Sequence, residues 1–387
     1  MIFAFSIVCL ILATVGVLYT CAAVFTVRRY VAKNKYLAAA KSRSPVTILK
    51  PLRGVHPGLR DDLLSFVNQQ HDAGVQIIIG LHDPGDPALA VVAAIRDESA
   101  DGLPHMQVVI DGSRHGSNNK VSNLINMLPH ARHPVIVLAD SDIRLEAGDI
   151  AAVAAELDAP GTGLVTCLYL GDPRAGLLSQ LSAMAVDHHF LPSVTVGLAL
   201  GLAQPTFGAL IALRRDTLAA TGGFEALADT LADDYALGAA VRRLGLAGEV
   251  STRIVRHAAT EDNLAALLRH ELRWARTIRT VDPAGFAGSI VTHPVPFAAL
   301  ALLAAGPGVL TVTALVAALA SRAMLQVQGP SASFRVSRLR RIVLGPVRDM
   351  LSFGVFVASF FVSTVEWSGA RLDIRKDGTM AENRRAN

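Results

Sequence analysis

Two aspartates stand two residues apart at Asp140-Ser141-Asp142, directly after the apolar run 135–139. In extended backbone such side chains leave the same face. Two carboxylate oxygens on one side suit a hard divalent cation, Mg2+ or Mn2+, whose other positions would hold a diphosphate. An ordinary turn capped by Asx side chains needs the same residues, so this spacing alone leaves both readings open. Further upstream, Asp83-Pro84-Gly85-Asp86 ends another apolar run, where carboxylates can accept from a base or ribose; a tight loop with solvated aspartates fits equally. In Asn118-Asn119-Lys120-Val121-Ser122-Asn123, Lys120 can offset phosphate charge and the amides can orient a sugar, while a solvated helix start is the plainer account, above all for Asn118. Asp233 and Asp234 open a helical stretch closed by Gly245; they are either caps and dipole partners or a general base for an acceptor hydroxyl. Finally, His270, Arg273 and Trp274 fall on one helical face, where an arginine can clamp a departing diphosphate and an indole can bound an acceptor; a surface arginine beside a buried tryptophan gives the same pattern.

The elements that must position these residues are legible as alternating patterns. Runs 46–49, 75–81, 106–110, 135–139 and 164–168 are short, apolar and bounded by turn residues, and they predict buried strands. Helical stretches at 59–70 and 88–98 lie between them. Strand and helix in alternation imply an α/β domain with a mostly parallel sheet covered on both faces. Ligands of such sheets gather beyond the carboxyl ends of the strands, which is where the acidic turns fall.

Composition then sets the surroundings. The 387 residues are 51% hydrophobic with a mean hydropathy of +0.41, which excludes a disordered chain and argues against a wholly soluble one. A net charge of +4 and 5% aromatics give neither an electrostatic stripe nor a stacking platform, so nucleic acid is not expected as a partner. Cys9, Cys21 and Cys167 form no metal spacing and no disulfide framework.

Residues 1–27 are uncharged and end at Arg28 and Arg29, the reverse of a cleaved leader, and predict a retained transmembrane anchor. The positive-inside rule then places 28–293 on the cytoplasmic face as one domain, with 294–387 as a C-terminal membrane region and tail. Within that region an apolar stretch at 295–320 is broken by Gly306-Pro307-Gly308, and another runs over 350–365. If each spans once, Arg335, Arg338, Arg340 and Arg341 lie outside; if the first is a bent hairpin they stay inside and Arg371, Arg375 and Lys376 go out. The 335–348 stretch, with arginines alternating with apolar residues, also reads as an interfacial helix.

In order along the chain, the acidic turn, Asp-Ser-Asp, Asp-Asp-Tyr and Arg-Trp elements resemble those of membrane-bound glycosyltransferases of the GT-A fold, a Rossmann-like sheet. More narrowly, Ile48-Leu49-Lys50-Pro51-Leu52-Arg53-Gly54-Val55-His56-Pro57-Gly58-Leu59, Lys120-Val121-Ser122-Asn123-Leu124, Asp140-Ser141-Asp142-Ile143-Arg144 and Ala232-Asp233-Asp234-Tyr235 are similar to motifs of the ceramide glucosyltransferase family. The resemblance covers nearly the whole chain. It implies nucleotide-sugar contacts from Lys50, Asp83, Asp86, Lys120, Asp140, Arg273 and Trp274, a metal at Asp142 and Asp140, and a catalytic base at Asp234. It leaves Asp233, His270, His188 and His189 as acceptor-side or unassigned residues; His270 stands where the family has glutamine or arginine.

The same resemblance implies a UDP-sugar donor, a lipid acceptor and a membrane location. Bacterial members of the family include hopanoid-biosynthesis enzymes that add N-acetylglucosamine to bacteriohopanetetrol, and the Ala-, Leu- and Arg-rich usage favours that branch, at a bacterial inner membrane. Ceramide with UDP-glucose is the alternative. A processive polysaccharide synthase shares the motifs but normally has more spans, and a membrane-anchored sugar-nucleotide sensor would keep the fold without catalysis.

Overall fold

Apart from the edge run at 106–110, the apolar runs become strands because their β-branched and leucine-rich residues are buried on both faces, leaving no alternation of polar positions. A computed structural model describes residues 1–36, 42–99, 103, 105–330, 337–361, 364–367, 370–374 and 380–382, with side chains followed to 361 except for 34–36. The strands are β1 (Val46–Pro51), β2 (Val75–Leu81), β3 (Met106–Ile110), β4 (Val135–Ala139), β5 (Ile143–Arg144), β6 (Thr162–Pro173), β7 (Leu210–Arg214) and β8 (Ala247–Ala259). They form one sheet in the order β3-β2-β1-β4-β7-β6-β8-β5. The first four are parallel, while β7 runs antiparallel to β4 and β6, and β5 antiparallel to β8. The α/β expectation and the strand positions hold. The first expected helix is shorter than its pattern, ending at Val67 instead of 70.

By contacts the chain forms two compact units. One comprises Lys33–Tyr169, Gln204–Thr260 and Trp367–Asn387; the other comprises Met1–Ala32, Leu170–Ala203 and Glu261–Glu366. The segments 170–203 and 261–293, expected within a single 28–293 domain, therefore group with the N-terminal helix. In the sheet unit, Leu49, Ile78, Leu138, Ile211 and Leu213 pack with Val121, Leu124 and Leu237 in one core. Burying each such side chain contributes about 1.5–3 kcal/mol.

The second unit is helical. By length and composition Ile2–Lys33 and Val309–Gln328 can cross a bilayer, and Pro283–Thr292 with Pro294–Ala305, bent by 62°, would be a third if they form one broken span. Gly306 turns the chain at φ 77°, a left-handed conformation that suits glycine. Arg28 Nη1 donates to Gln328 Oε1 at 2.7 Å, tying these two helices together near their carboxyl ends. The interfacial stretch and the last apolar stretch prove to be one continuous helix, Arg338–Ala358, with Pro346 inside it. Arg335, Arg375 and Lys376 lie outside the described residues, as does the side chain of Arg371.

Candidate functional site

The site grows out of the β4 carboxyl end. Register sets it up: Ala139 pairs with Leu210 across β4 and β7, so Asp140 arrives opposite Ala209 and donates its N–H to that carbonyl. The Asp-Ser-Asp turn is then stitched to β8, because Ile143 pairs with His257 and the Ala258 N–H donates to the Asp142 carbonyl at 2.8 Å. This pairing brings His257 Nε2 within 3.3 Å of Asp142 Oδ2. Tyr169 packs on the His257 ring at 5.5 Å between centroids, with Phe207 edge-on to Tyr169.

Lys50 holds the turn from below. Its side chain is fully buried, its ammonium donates to the carbonyls of Asp140 at 2.7 Å and Ile143 at 3.4 Å, and it lies 3.9 Å from the centre of the Phe66 ring. Burial lowers its pKa to about 8, with Asp142, Asp62 and Asp140 pulling upward. Expected as a nucleotide-sugar contact, Lys50 is a support beneath the turn, its donors already directed to backbone carbonyls.

Lys120 enters from the helix Asn119–Met127. The Asn118 side chain caps that helix by accepting from the Val121 N–H, and its Nδ2 donates to the Thr230 carbonyl at 2.8 Å. Lys120 Nζ lies 2.7 Å from Asp140 Oδ1 and 3.5 Å from Asp233 Oδ2. Burial alone would discharge it, but Asp140 and Asp233 outweigh that and raise its pKa. Asn118 is therefore a buried pin, not a solvated helix start, and Asn123 donates to the Gly80 carbonyl, so neither amide is directed at a sugar.

Asp234 sits at the start of the Asp233–Arg243 helix. Its Oδ2 accepts from the Gly208 N–H and its Oδ1 from the Tyr235 N–H, both at 2.8 Å. Each oxygen keeps a lone pair. Burial first, then Asp233, pushes its pKa up to about 6 against the pull of Lys120 and the two amides. A methyl group on Gly208 would lie 3.3 Å from both Asp234 Oδ2 and Lys120 Nζ, and 3.4 Å from Asp140 Oδ2, so those three side chains converge on one point.

The remaining expected residues fall into two groups. Asp86 accepts from the N–H groups of Gly54 and Ala88, and Asp83 from that of Gly85, so the acidic turn ties its own loops. Asp86 thereby fixes the loop carrying His56, whose Nε2 lies 3.4 Å from the Ser141 carbonyl oxygen. In the helical unit, His270 bonds Glu261 and packs edge-on against Trp274 at 4.5 Å; Arg273 is on the same helix, Leu264–Val281. His188 and His189 lie in a π-helical turn; His189 Nε2 is 3.0 Å from Asp349 Oδ1, and His188 is buried.

The donor set fits a divalent cation in part. Asp142 Oδ1 is buried with no hydrogen-bond partner, an orphaned carboxylate oxygen. Burial opposes its ionisation, but His257, Lys50 and His56 outweigh that and hold the carboxyl well below the usual range. Among the described residues no three histidine, cysteine or acidic side chains gather as a complete cage. That suits an ion that takes its other ligands from a diphosphate and water. His257, His56 and Gly208 are the residues to which sequence reasoning gave no role: His56 falls in the stretch that carries Lys50, Gly208 in the run that leads into β7, and His257 reaches the site only through strand pairing.

The family model for glycosyl transferase family 21 matches residues 8–380. The chain belongs to this family. Among curated relatives, this family-21 chain is 24% identical over 208 residues to ceramide glucosyltransferase 1 of Caenorhabditis elegans, covering 54% of this chain and 44% of that one. It is 28% identical over 107 residues to the ceramide glucosyltransferase of Candida albicans, covering 25% and 20%. The matches thus span less than half the length of these relatives. Among solved structures, the mannosyltransferase PcManGT from Pyrobaculum calidifontis, in complex with GDP-Man and Mn2+, is similar with a TM-score of 0.50 at 17% identity, covering 90% of this chain and 98% of that one. At that identity the likeness speaks for the GT-A fold of this family-21 chain.

Proposed function

We propose that this family-21 chain is a membrane-embedded inverting transferase that moves a sugar from a UDP-sugar to a lipid hydroxyl. The convergence of Asp234, Lys120 and Asp140 around Gly208 carries this reading. Asp234 is held by two backbone N–H groups and has a pKa near 6, so it is mostly ionised at neutral pH yet basic enough to accept a proton. The acceptor oxygen bonds to the anomeric carbon as the carbon–oxygen bond to the diphosphate breaks. The bonding pair leaves with UDP, and the hydroxyl proton passes to Asp234. Asp142 and His257 would hold a divalent cation, Mn2+ or Mg2+, which when bound offsets diphosphate charge. Lys120 keeps its cation beside Asp140 at the same point, and Lys50 fixes the turn.

N-acetylglucosamine and bacteriohopanetetrol are the favoured pair, on the motif resemblance and the Ala-, Leu- and Arg-rich composition; glucose and ceramide are the alternative, on the curated relatives. Arg28 and Arg29 after the first apolar helix favour a catalytic unit on the cytoplasmic face of a bacterial inner membrane. The test is to incubate the purified chain with UDP-sugars, both lipids and Mn2+ or Mg2+, and weigh the products. Asp234→Asn is expected to lower transfer by about 10²–10⁴-fold while UDP-sugar binding persists. Undiminished turnover would remove the base assignment.

A further inference from the structure

Three elements beside Lys120 meet on one imidazole. Leu81 and Ile110 are register partners at the ends of β2 and β3, and the Asp111 N–H donates to the Leu81 carbonyl at 3.0 Å, so His82 and Asp111 leave the sheet side by side. His82 Nδ1 lies 3.0 Å from the Asp111 carbonyl oxygen, and its Nε2 lies 2.9 Å from that of Asn119, the first residue of the helix that carries Lys120. A carbonyl oxygen only accepts, so each contact needs a proton on the ring nitrogen. A neutral ring has one and would set its other lone pair against an oxygen; the imidazolium satisfies both. Further along the helix, Asn126 Nδ2 binds the same loop, donating to the carbonyls of Asp111 at 3.1 Å and Ser113 at 3.0 Å, while His115 Nε2 lies 2.8 Å from Asn126 Oδ1. A cation at a helix start opposes the helix dipole. The Asp111 carboxylate compensates for it: hydrogen bonds from Ser113, then the charges of His115 and His82, hold this carboxyl below the usual range.

We propose that His82, an imidazolium clasped between the Asp111 and Asn119 carbonyls, is a positioning residue that fixes the helix of Lys120 to the ends of β2 and β3 and thereby sets donor affinity. For what the site binds, this rests on the UDP-sugar reading above. Lys120 is the residue after Asn119, and its ammonium sits between Asp140 and Asp233 where the site converges. Loss of one ring proton releases one carbonyl, and the helix start shifts with Lys120 on it. Asp234 stands on another helix and takes its N–H groups from Gly208 and Tyr235, so proton transfer is not touched. The other charged or titratable groups on these elements are Asp83 and Asp86 after His82, Asp111, Arg114 and His115 in the loop, and Lys120 on the helix. Asp111, held below the usual range, and Lys120, raised, keep their charges across neutrality. The single contact of His115 Nε2 with Asn126 Oδ1 needs one proton only. The clasp is complete while His82 holds both protons and is lost as pH rises.

The experiment uses the full chain in nanodiscs, with its histidine ring nitrogens isotopically labelled, and UDP-N-acetylglucosamine with Mg2+ as the probe. At about pH 6.5 both His82 nitrogens are expected to give imidazolium resonances, assigned by their loss in His82→Gln. Calorimetry should show donor affinity falling about tenfold on going to about pH 8.5, the effect of one charge-assisted hydrogen bond. His82→Gln, whose amide reaches one carbonyl, should bind at both pH values as weakly as the wild type does at the higher one, with kcat at saturating donor within about twofold. If that variant fails to fold, hydrogen exchange of the wild type decides: residues 111–122 should lose protection relative to β4 as pH rises. An unprotonated His82 nitrogen at the lower pH, a pH dependence that persists in His82→Gln, or a loss of stability with donor affinity unchanged overturns the proposal and leaves the transferase reading standing. The imidazolium and its pH-dependent protection, with no binding of any UDP-sugar, support the clasp and count against the transferase.

Discussion

Two clusters of charged side chains among the described residues, one in each unit, are finished differently. In the helical unit Arg322, Asp349 and His189 close on one another, and Arg348 makes a bidentate pair with Glu271 at 2.5 and 2.7 Å. At the end of β4, by contrast, Lys120 is shared between Asp140 and Asp233, Asp234 keeps free lone pairs on both oxygens, and Asp142 Oδ1 is buried without a partner. Saturated pairs hold helices in place; an unsaturated carboxylate is destabilising on its own and is retained where something else completes it.

The largest effect that separates the two clusters is expected at Asp142. Replacing it with alanine removes the orphaned oxygen together with the partner of His257, and metal-assisted charge stabilisation is worth several kcal/mol, about 10³-fold in rate. Titrating Mn2+ into the UDP-bound protein by calorimetry should show weakened metal binding with folding intact. Unchanged metal affinity would place the cation elsewhere.

The saturated cluster should respond in stability. Asp349→Asn leaves the Arg322 charge buried and uncompensated, which costs about 3–5 kcal/mol, whereas exchanging both partners for apolar residues, Arg322→Met with Asp349→Leu, should recover most of the loss. Unfolding in detergent measures both variants. A single variant as stable as the double one would show that the pair is not closed in the way its geometry indicates.

A smaller, graded effect separates the clusters by pH. Asp234 has its pKa raised to about 6, so the base is protonated below that value and transfer should fall about tenfold per pH unit on the acid side, with a plateau above it. Because Asp233 is the second cause of the rise, Asp233→Asn should move the acid limb to lower pH. A limb that stays in place would assign it to another group.

What the sequence made legible follows the same division. Strands were readable because parallel strands buried on both faces leave continuous apolar runs, and the positions of Asp140, Asp142 and Asp234 at element ends were readable from the turn and helix signals beside them. Lys50 was misread because a lysine in a strand looks like a ligand contact until the carbonyls above it are seen. His257 was missed because its role depends on a two-residue antiparallel pairing with β5, more than 100 residues away, and no local pattern encodes it. The Arg338–Ala358 helix was divided in two because its basic start and apolar end carry opposite signals, though one backbone runs through both.

Asn118 gives the smallest and sharpest test of how the unsaturated cluster is kept in register. Its side chain accepts from the Val121 N–H and donates to the Thr230 carbonyl, joining the helix of Lys120 to the segment leading into Asp233 and Asp234. Asn118→Ala should cost about 1 kcal/mol through the lost cap. Asn118→Asp keeps the cap acceptor but removes the donor to Thr230, so the two losses separate. If positioning matters beyond stability, the aspartate variant should retain most of the helix stability yet show a lower kcat, because Lys120 and Asp234 are no longer tied through one side chain. Equal kcat in wild type and both variants would reduce Asn118 to a cap alone.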